Sequence, residues 1–362
     1  MLDLGGVRDS AEFTRRLAIT AALLAVYRFG AQIPLPGINS EALAQLGGTA
    51  VERISIFALG ITPFITILIL AELLKVLAPG LRRWEQAEPR NRTRLNRIVL
   101  GLALLAAAAQ ASGLALALED VRSLVDEPGT QFRLTCIATL VGGVAIVIWL
   151  ADQITRHGLG SGVWLVFLTP WLAEVPSRIA ALAMSWPSWG PAVSVQLLIG
   201  CTLAVLVLAA IVGLIRAGGT SLEMAATCLW SVLLADAAWP WLLLAIAALL
   251  GGGSLAGLAW LGPGHPIALL ALAGLVALFT HLYLRSQRMA GVTSFSAIAP
   301  ALVAVALAAI ALADMVLATQ LGFVPLAGHL ILVAVVALSL LAQWWQPPFA
   351  KSPSVETHDN PP

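Results

Sequence analysis

The chain has 362 residues, of which 59% are hydrophobic and 11% are charged, and its mean hydropathy is +0.92. A soluble domain carries charge on about 25% of its residues, so this composition excludes a soluble globular protein. The formal net charge of +1 gives no indication of binding to nucleic acid.

Apolar stretches of membrane-spanning length recur along the whole chain. They predict an all-α polytopic membrane protein with ten transmembrane helices. The predicted spans are 17–33, 61–77, 97–118, 134–152, 159–173, 193–215, 228–250, 265–286, 296–318 and 324–345.

The basic residues orient these spans. If the N-terminus is cytoplasmic, fifteen of the 20 Lys and Arg residues fall on the cytoplasmic side, four on the other side, and Arg28 inside a span. This alternation is what the positive-inside rule requires, so we predict that both chain ends are cytoplasmic. The densest basic stretch, Arg82 to Arg97, has two interpretations: topogenic charge near anionic lipid, or a docking surface for a cytosolic partner.

Two spans contain helix breakers. Gly60 and Pro63 lie at the start of the second span, and Pro240 lies in the seventh. Two halves of five spans would enter the membrane from opposite sides, as in an inverted repeat. Breaks at equivalent places in such halves favour a central pathway, whereas the alternative is two ordinary proline kinks.

This reasoning predicts five segments. They are a cytoplasmic N-terminal segment 1–16, an N-terminal half 17–175, an external linker 176–192, a C-terminal half 193–345 and a disordered cytoplasmic tail 346–362.

Ionisable residues inside apolar spans are functional candidates because a charge is costly there. Asp236, Asp314 and His281 could couple transport to protons or ions, which makes a ten-span secondary transporter the alternative function. Glu72 and Lys75, in the last turn of span two, are expected to form a structural pair. No nucleophile–base pair, zinc spacing or nucleotide fingerprint occurs in the sequence, so we predict no enzyme, no cofactor and no metal site.

Four sequence features together resemble the SecY family, the channel subunit of the general protein-translocation machinery. The first is Val26-Tyr27-Arg28-Phe29-Gly30 followed by Ile33-Pro34-Leu35-Pro36-Gly37-Ile38, and the second is the segment from Ser55 to Ile65. The third is the turn from Trp149 to Gly162, and the fourth is Gln110 in span three. The second half of the chain matches mainly in span count and in the proline of span seven.

The resemblance implies a protein-conducting channel with a ring of apolar side chains and a seam that parts towards lipid. Spans two and three would line one side of the seam, and spans seven and eight the other. By this resemblance the ring residues are Ile61, Ile65, Phe167, Trp171, Trp239 and Leu332. Three of these are aromatic where the family prefers aliphatic residues, so packing between helices or anchoring at the membrane interface is the alternative role for those three.

Thr66 and Gln110 occupy gate positions of the family, where a buried hydrogen-bonded pair could hold the gate shut by about 1 kcal/mol. Leu234 stands where the family has an asparagine.

Other features depart from the family pattern. Only Gly37 to Arg53 separates the first two sequence features, so a plug helix is expected to be vestigial or absent. The cytoplasmic loops after spans six and eight are short, which puts docking of the SecA motor or the ribosome in doubt. Implied partners are SecE-like and SecG-like small membrane subunits and secretory or membrane polypeptides. A non-conducting SecY paralogue that acts as an insertion scaffold is a further alternative.

Overall fold

The computed structural model describes residues 10–45, 51, 53–121, 124–185, 202, 205–206, 208–210, 229–240, 242–243, 265–289, 300–320 and 330–344. Within them the fold is all-helical, as predicted, and extended pairing is limited to isolated bridges between Pro34 and Ser55 and between Ile38 and Val125. The helices are α1 (Ser10–Gly30), α2 (Ser40–Gln45), α3 (Thr62–Leu77), α4 (Pro79–Ala87), α5 (Pro89–Glu119), α6 (Thr130–His157), α7 (Gly162–Ser185), α8 (229–240), α9 (Pro266–Met289), α10 (Pro300–Gln320) and α11 (Leu330–Trp344).

Nine of the ten predicted spans contain a described helix, and the sixth, 193–215, lies mostly outside the described residues. By length and composition, three described helices can cross a membrane: α5, α6 and Pro266–Gln287 of α9. The bent pair α3–α4 is a fourth if it forms one span. The predicted tail 346–362 lies outside the described residues.

The predicted break in span two is the start of a helix. Gly60 adopts φ +54°, which favours glycine, and Pro63 occupies the first turn of α3, where its missing N–H is not needed. The residues before α3 form turns, and this non-helical backbone lies against protein, since Ser55 and Ile61 are buried. With 16 residues α3 is about 24 Å long, which is shorter than the roughly 30 Å hydrocarbon core of a bilayer.

The last turn of α3 leads into a sharp bend at Ala78. Pro79 begins α4 there, and the axes of α3 and α4 differ by 106°. Pro79 fixes its own φ and has no N–H to continue the hydrogen-bond ladder of α3, which explains why the helix turns here. The following helix, α4, carries Arg82, Arg83 and Trp84, so its composition suits a membrane surface.

Buried apolar side chains form two clusters. The larger joins α3, α6 and α7 of the first half to α8, α9, α10 and α11 of the second half. The smaller lies between α5, α6 and the loop before α3, and it includes Leu43 of α2. The short helix α2 therefore occupies the interval where the resemblance placed a vestigial plug, and it packs in the smaller cluster.

Ion pairs link three side chains near the N-terminus of α1. Glu12 accepts hydrogen bonds from Arg15 at 2.8 Å and Arg16 at 2.7 Å. These two guanidinium groups lower the pKa of the Glu12 carboxyl to about 2, so the carboxylate stays ionised in moderately acidic solution.

Candidate functional site

Five of the six predicted ring residues lie in one apolar cluster. Ile61, Ile65 and Leu332 are buried members of the larger apolar cluster, and Phe167 and Trp171 are half-buried and pack against that cluster. We call these five residues the central cluster. They come from the start of α3, from α7 and from α11, so the cluster includes both predicted halves.

Trp239 differs from the other predicted ring residues. It is half-buried on α8, and among the described residues the side chains that α8 buries in the larger apolar cluster are Leu229, Leu234 and Ala235. Leu234, at the position of the family asparagine, is therefore an apolar packing residue.

A chain of aromatic rings extends the central cluster. Phe167 and Trp171 meet edge to face with centroids 4.8 Å apart, and Phe167 contacts Trp164 at 6.4 Å. Trp164 in turn contacts Trp230 of α8 at 5.7 Å. Edge-to-face pairs at these distances are favourable. The sequence reasoning did not identify Trp164 or Trp230, although Trp164, Phe167 and Trp171 are spaced three and four residues apart, which places them on one helix face.

The predicted gate pair is not buried. Thr66 on α3 and Gln110 on α5 are both exposed, and the Thr66 hydroxyl donates to the Thr62 carbonyl at 3.0 Å. A helical threonine readily bonds the carbonyl four residues earlier, so Thr66 does not need Gln110 as a partner. A different polar residue, Ser231 of α8, is buried, and its hydroxyl oxygen has no hydrogen-bond partner among the described residues.

Gly60 and Pro63 start α3, as described above, whereas Pro240 is exposed and α8 is helical up to it. The residues 244–264 that follow lie outside the described part of the chain, so the expected break in span seven stays a prediction. Two further prolines, Pro170 and Pro176, lie inside α7, which continues through the predicted linker start at 176 to Ser185.

The ionisable candidates have different environments. Asp236 on α8 and His281 on α9 are exposed. Asp314 on α10 is 4% exposed, and its carboxylate accepts a hydrogen bond at 3.1 Å from the backbone N–H of Leu330, the first residue of α11. Asp314 therefore binds the start of a neighbouring helix, where backbone donors need acceptors.

A charge cluster lies where α3, α4 and α9 meet. The predicted pair is present, with Lys75 Nζ 2.6 Å from Glu72 Oε1, and Lys75 also contacts Glu85 at 3.1 Å. Arg82 Nη2 lies 3.2 Å from the second oxygen of Glu72, and Arg82 Nε donates to Ser286 Oγ of α9 at 3.2 Å. No local pattern predicts the contact between Arg82 and Ser286, because these residues are 204 positions apart in the chain.

The turn from 158 to 161 joins three helices, which accounts for its distinctive sequence. Gly160 adopts φ +74°, and the N–H of Leu159 donates to the Thr20 hydroxyl of α1 at 2.9 Å. The N–H of Gly162 donates to the Thr155 hydroxyl of α6 at 2.9 Å. The turn that the resemblance implies between Trp149 and Gly162 is limited to residues 158–161, because α6 continues to His157.

Sequence comparisons place the likeness in the first half and centre of the chain. A family model described as SecY matches residues 55–226. The SecY translocase subunit of Rickettsia conorii is 33% identical over 224 residues, which cover 57% of this chain and 51% of the relative. That of Escherichia coli K12 is 33% identical over 187 residues, which cover 47% of this chain and 42% of the relative. The chain therefore spans about half the length of the curated relatives it matches.

Structural comparison extends the likeness. A solved protein-conducting channel matches with a TM-score of 0.57 at 15% identity, over 96% of this chain and 97% of that chain. A structure of SecY concerned with its plug domain gives a TM-score of 0.59, and Sec61 in the canine ribosome-channel complex gives 0.56, with the same coverage and 16% identity. At identities this low the likeness shows the fold. The chain is therefore similar to SecY proteins in sequence over residues 55–226, and it is similar in fold to a solved protein-conducting channel over 96% of its length.

Proposed function

We propose that this protein is a SecY-like channel subunit through which unfolded polypeptides cross the bacterial inner membrane or enter it sideways. The observation that carries the proposal is the central cluster, in which apolar side chains from both halves converge. A narrow apolar constriction is costly for ions and water, so it can close a resting pore. Side chains that meet without covalent links can also part around an extended chain.

The proposed architecture has ten transmembrane helices in two inverted halves, 17–175 and 193–345, with a linker 176–192 between them. The segment 1–16 and the tail 346–362 are proposed to be cytoplasmic. The distribution of Lys and Arg and the likeness to protein-conducting channels support this arrangement.

The proposed partners are SecE-like and SecG-like small membrane subunits and the translocated polypeptide. The chain has no nucleotide-binding fingerprint, so a partner must supply the energy for movement. The loops at about 216–227 and 287–294 are short, and docking of SecA or a ribosome would need another surface.

A secondary transporter receives less support. Its strongest buried carboxylate candidate, Asp314, accepts the Leu330 N–H and is thus explained by helix packing. A non-conducting paralogue would keep the central cluster without passing a chain through it, and the following experiment separates it from a channel.

Disulfide crosslinking to a stalled secretory polypeptide tests the proposal. Ile61→Cys and Ile65→Cys are made in a background without the native cysteines, reconstituted in proteoliposomes, and offered a stalled chain carrying one cysteine. We expect crosslinks at both positions, because both side chains are buried where the two halves meet.

Leu70→Cys is the matched control, since Leu70 lies on the same helix and is 48% exposed. Crosslinking at 61 and 65 but not at 70 supports a central path. An absence of crosslinks at 61 and 65, or equal crosslinking at 70, would contradict it.

A further inference from the structure

The charge cluster joins the two halves of the proposed architecture. Arg82 of α4 donates to the Ser286 hydroxyl of α9, and that hydroxyl donates to the backbone carbonyl of Lys75 at 3.1 Å. One hydroxyl on α9 thus holds both α3 and α4. Because α3 and α9 lie on opposite sides of the predicted seam, these bonds cross it.

The side chains of this contact are buried. Arg82 is 5% exposed, Lys75 is 7% exposed and Ser286 is 1% exposed. Buried charges are tolerated only when they are paired, and here Glu72 and Glu85 balance the two cations. The environment is therefore built for a guanidinium, and is not an incidental surface pair.

An aromatic ring completes the α9 side of the contact. The Arg82 guanidinium carbon lies 5.1 Å from the centroid of the Tyr283 ring, a favourable distance for a cation–π contact. Tyr283 and Ser286 lie three residues apart on α9, so they share one face of that helix. This face therefore offers Arg82 both a hydrogen-bond acceptor and an aromatic surface.

The four paired charges of the cluster all lie on one side of the contact, so α9 can move away without separating them. Glu72, Lys75, Arg82 and Glu85 all belong to α3 and α4. If α9 moved away, these four charges would stay paired with one another, and only the contacts of Arg82 and Lys75 with Ser286 and Tyr283 would be lost. Separation therefore leaves no unpaired buried charge, so it can be reversible.

We propose that Arg82 and Ser286 form a latch that keeps the seam between α3 and α9 closed on the cytoplasmic side. The proposal rests on the channel function proposed above, since it assigns the latch to the resting state of that channel. Entry of a polypeptide would part the two helices and release Arg82 from α9. Arg82 and Ser286 act as positioning residues, because they set the distance between helices and do not contact the central cluster.

Two variants weaken the latch without changing the charge of the cluster. Ser286→Ala removes the bridging hydroxyl, and Arg82→Lys keeps the positive charge but loses the planar fork and its stacking. Arg83→Gln is the matched control, since Arg83 is the neighbouring exposed residue on the same helix. Each is made in the full chain with the native cysteines replaced.

The readout is the distance between spin labels at Leu77→Cys on α3 and Leu278→Cys on α9, both exposed positions, in liposomes without substrate. We expect the population with the longer distance to rise about fivefold to tenfold in Ser286→Ala and Arg82→Lys, and to stay unchanged in Arg83→Gln. Distance distributions that are the same in Ser286→Ala and the parent protein would overturn the latch. If Arg82→Lys does not fold, Ser286→Ala decides alone, because it keeps every charge.

This measurement is independent of the crosslinking experiment, because it needs no translocated chain. A longer distance in Ser286→Ala combined with no crosslinks at 61 and 65 would support the proposed contact between the helices and contradict the channel function. Crosslinks at 61 and 65 combined with unchanged distances would keep the channel and reject the latch.

Discussion

Asp314 illustrates how one side chain can serve packing where its sequence context suggests transport. A carboxylate in an apolar helix is expensive, which makes it a functional candidate from sequence alone. In the structure its carboxylate accepts the N–H of Leu330, the first described residue of α11. The residue therefore connects α10 to α11.

Asp314→Asn and Asp314→Ala separate a packing role from ion coupling. The asparagine keeps an oxygen acceptor for Leu330, so we expect almost unchanged thermal unfolding in detergent. The alanine leaves a buried N–H unpaired and should lower the free energy of unfolding by about 1–3 kcal/mol.

Asp236→Asn is the control at an exposed carboxylate, and it should change the free energy of unfolding less than Asp314→Ala does. If Asp314→Asn abolished uptake of a small solute without changing stability, Asp314 would be an ion-coupling residue and the packing role would be wrong.

Single residues show what the sequence could predict. Ile61 and Ile65 could be proposed as ring residues from the sequence, because they belong to a contiguous stretch that resembles the SecY family. The contact between Arg82 and Ser286 was not, since the two residues are 204 positions apart and neither is unusual in its local context. The structure does not show Thr66 and Gln110 as a buried pair, because both residues are exposed. The Thr66 hydroxyl donates to its own helix.

At the scale of elements, the backbone of α6 lies very close to the backbone of the turn before α3. A methyl group on Gly143 would overlap the carbonyl oxygen of Ile56, so only glycine allows α6 to lie this near. The neighbouring Gly142 has open space around it. The two adjacent glycines therefore differ in what they tolerate.

Gly143→Ala is expected to destabilise the protein by about 1–3 kcal/mol, because α6 or the turn must shift to make room. Gly142→Ala, the control, should be neutral or stabilising by up to about 1 kcal/mol through helix propensity. Thermal unfolding in detergent measures both. Equal effects of the two substitutions would show that the close approach is not required.

Helix positions followed from apolar length, whereas helix ends depended on local chemistry. The bounds of α3 match span two almost to the residue, since Gly60, Pro63 and Pro79 mark its ends. The helix α7 runs past its predicted end because Pro170 and Pro176 are accommodated within it.

At the scale of the whole molecule, the proposed topology depends on which side of the membrane each loop faces. Arg94 and Asp126 are both exposed, and the 31-residue helix α5 lies largely between them. If α5 crosses the bilayer, the two residues must lie on opposite sides.

Arg94→Cys and Asp126→Cys test this arrangement in a background without native cysteines. We expect a membrane-impermeant thiol reagent added to intact inner-membrane spheroplasts to label Asp126→Cys, and to label Arg94→Cys only after permeabilisation. The cysteine-free parent controls for background labelling. The reverse pattern would invert the proposed orientation, and labelling of both positions without permeabilisation would reject the span.

Because of the 106° bend at Ala78, α4 can act as a lever arm on α3. The nine-residue helix α4 is about 13 Å long, and the single residue Ala78 joins it to the C-terminal end of α3. A force on the far end of α4 would therefore act on the C-terminal end of α3 as a torque.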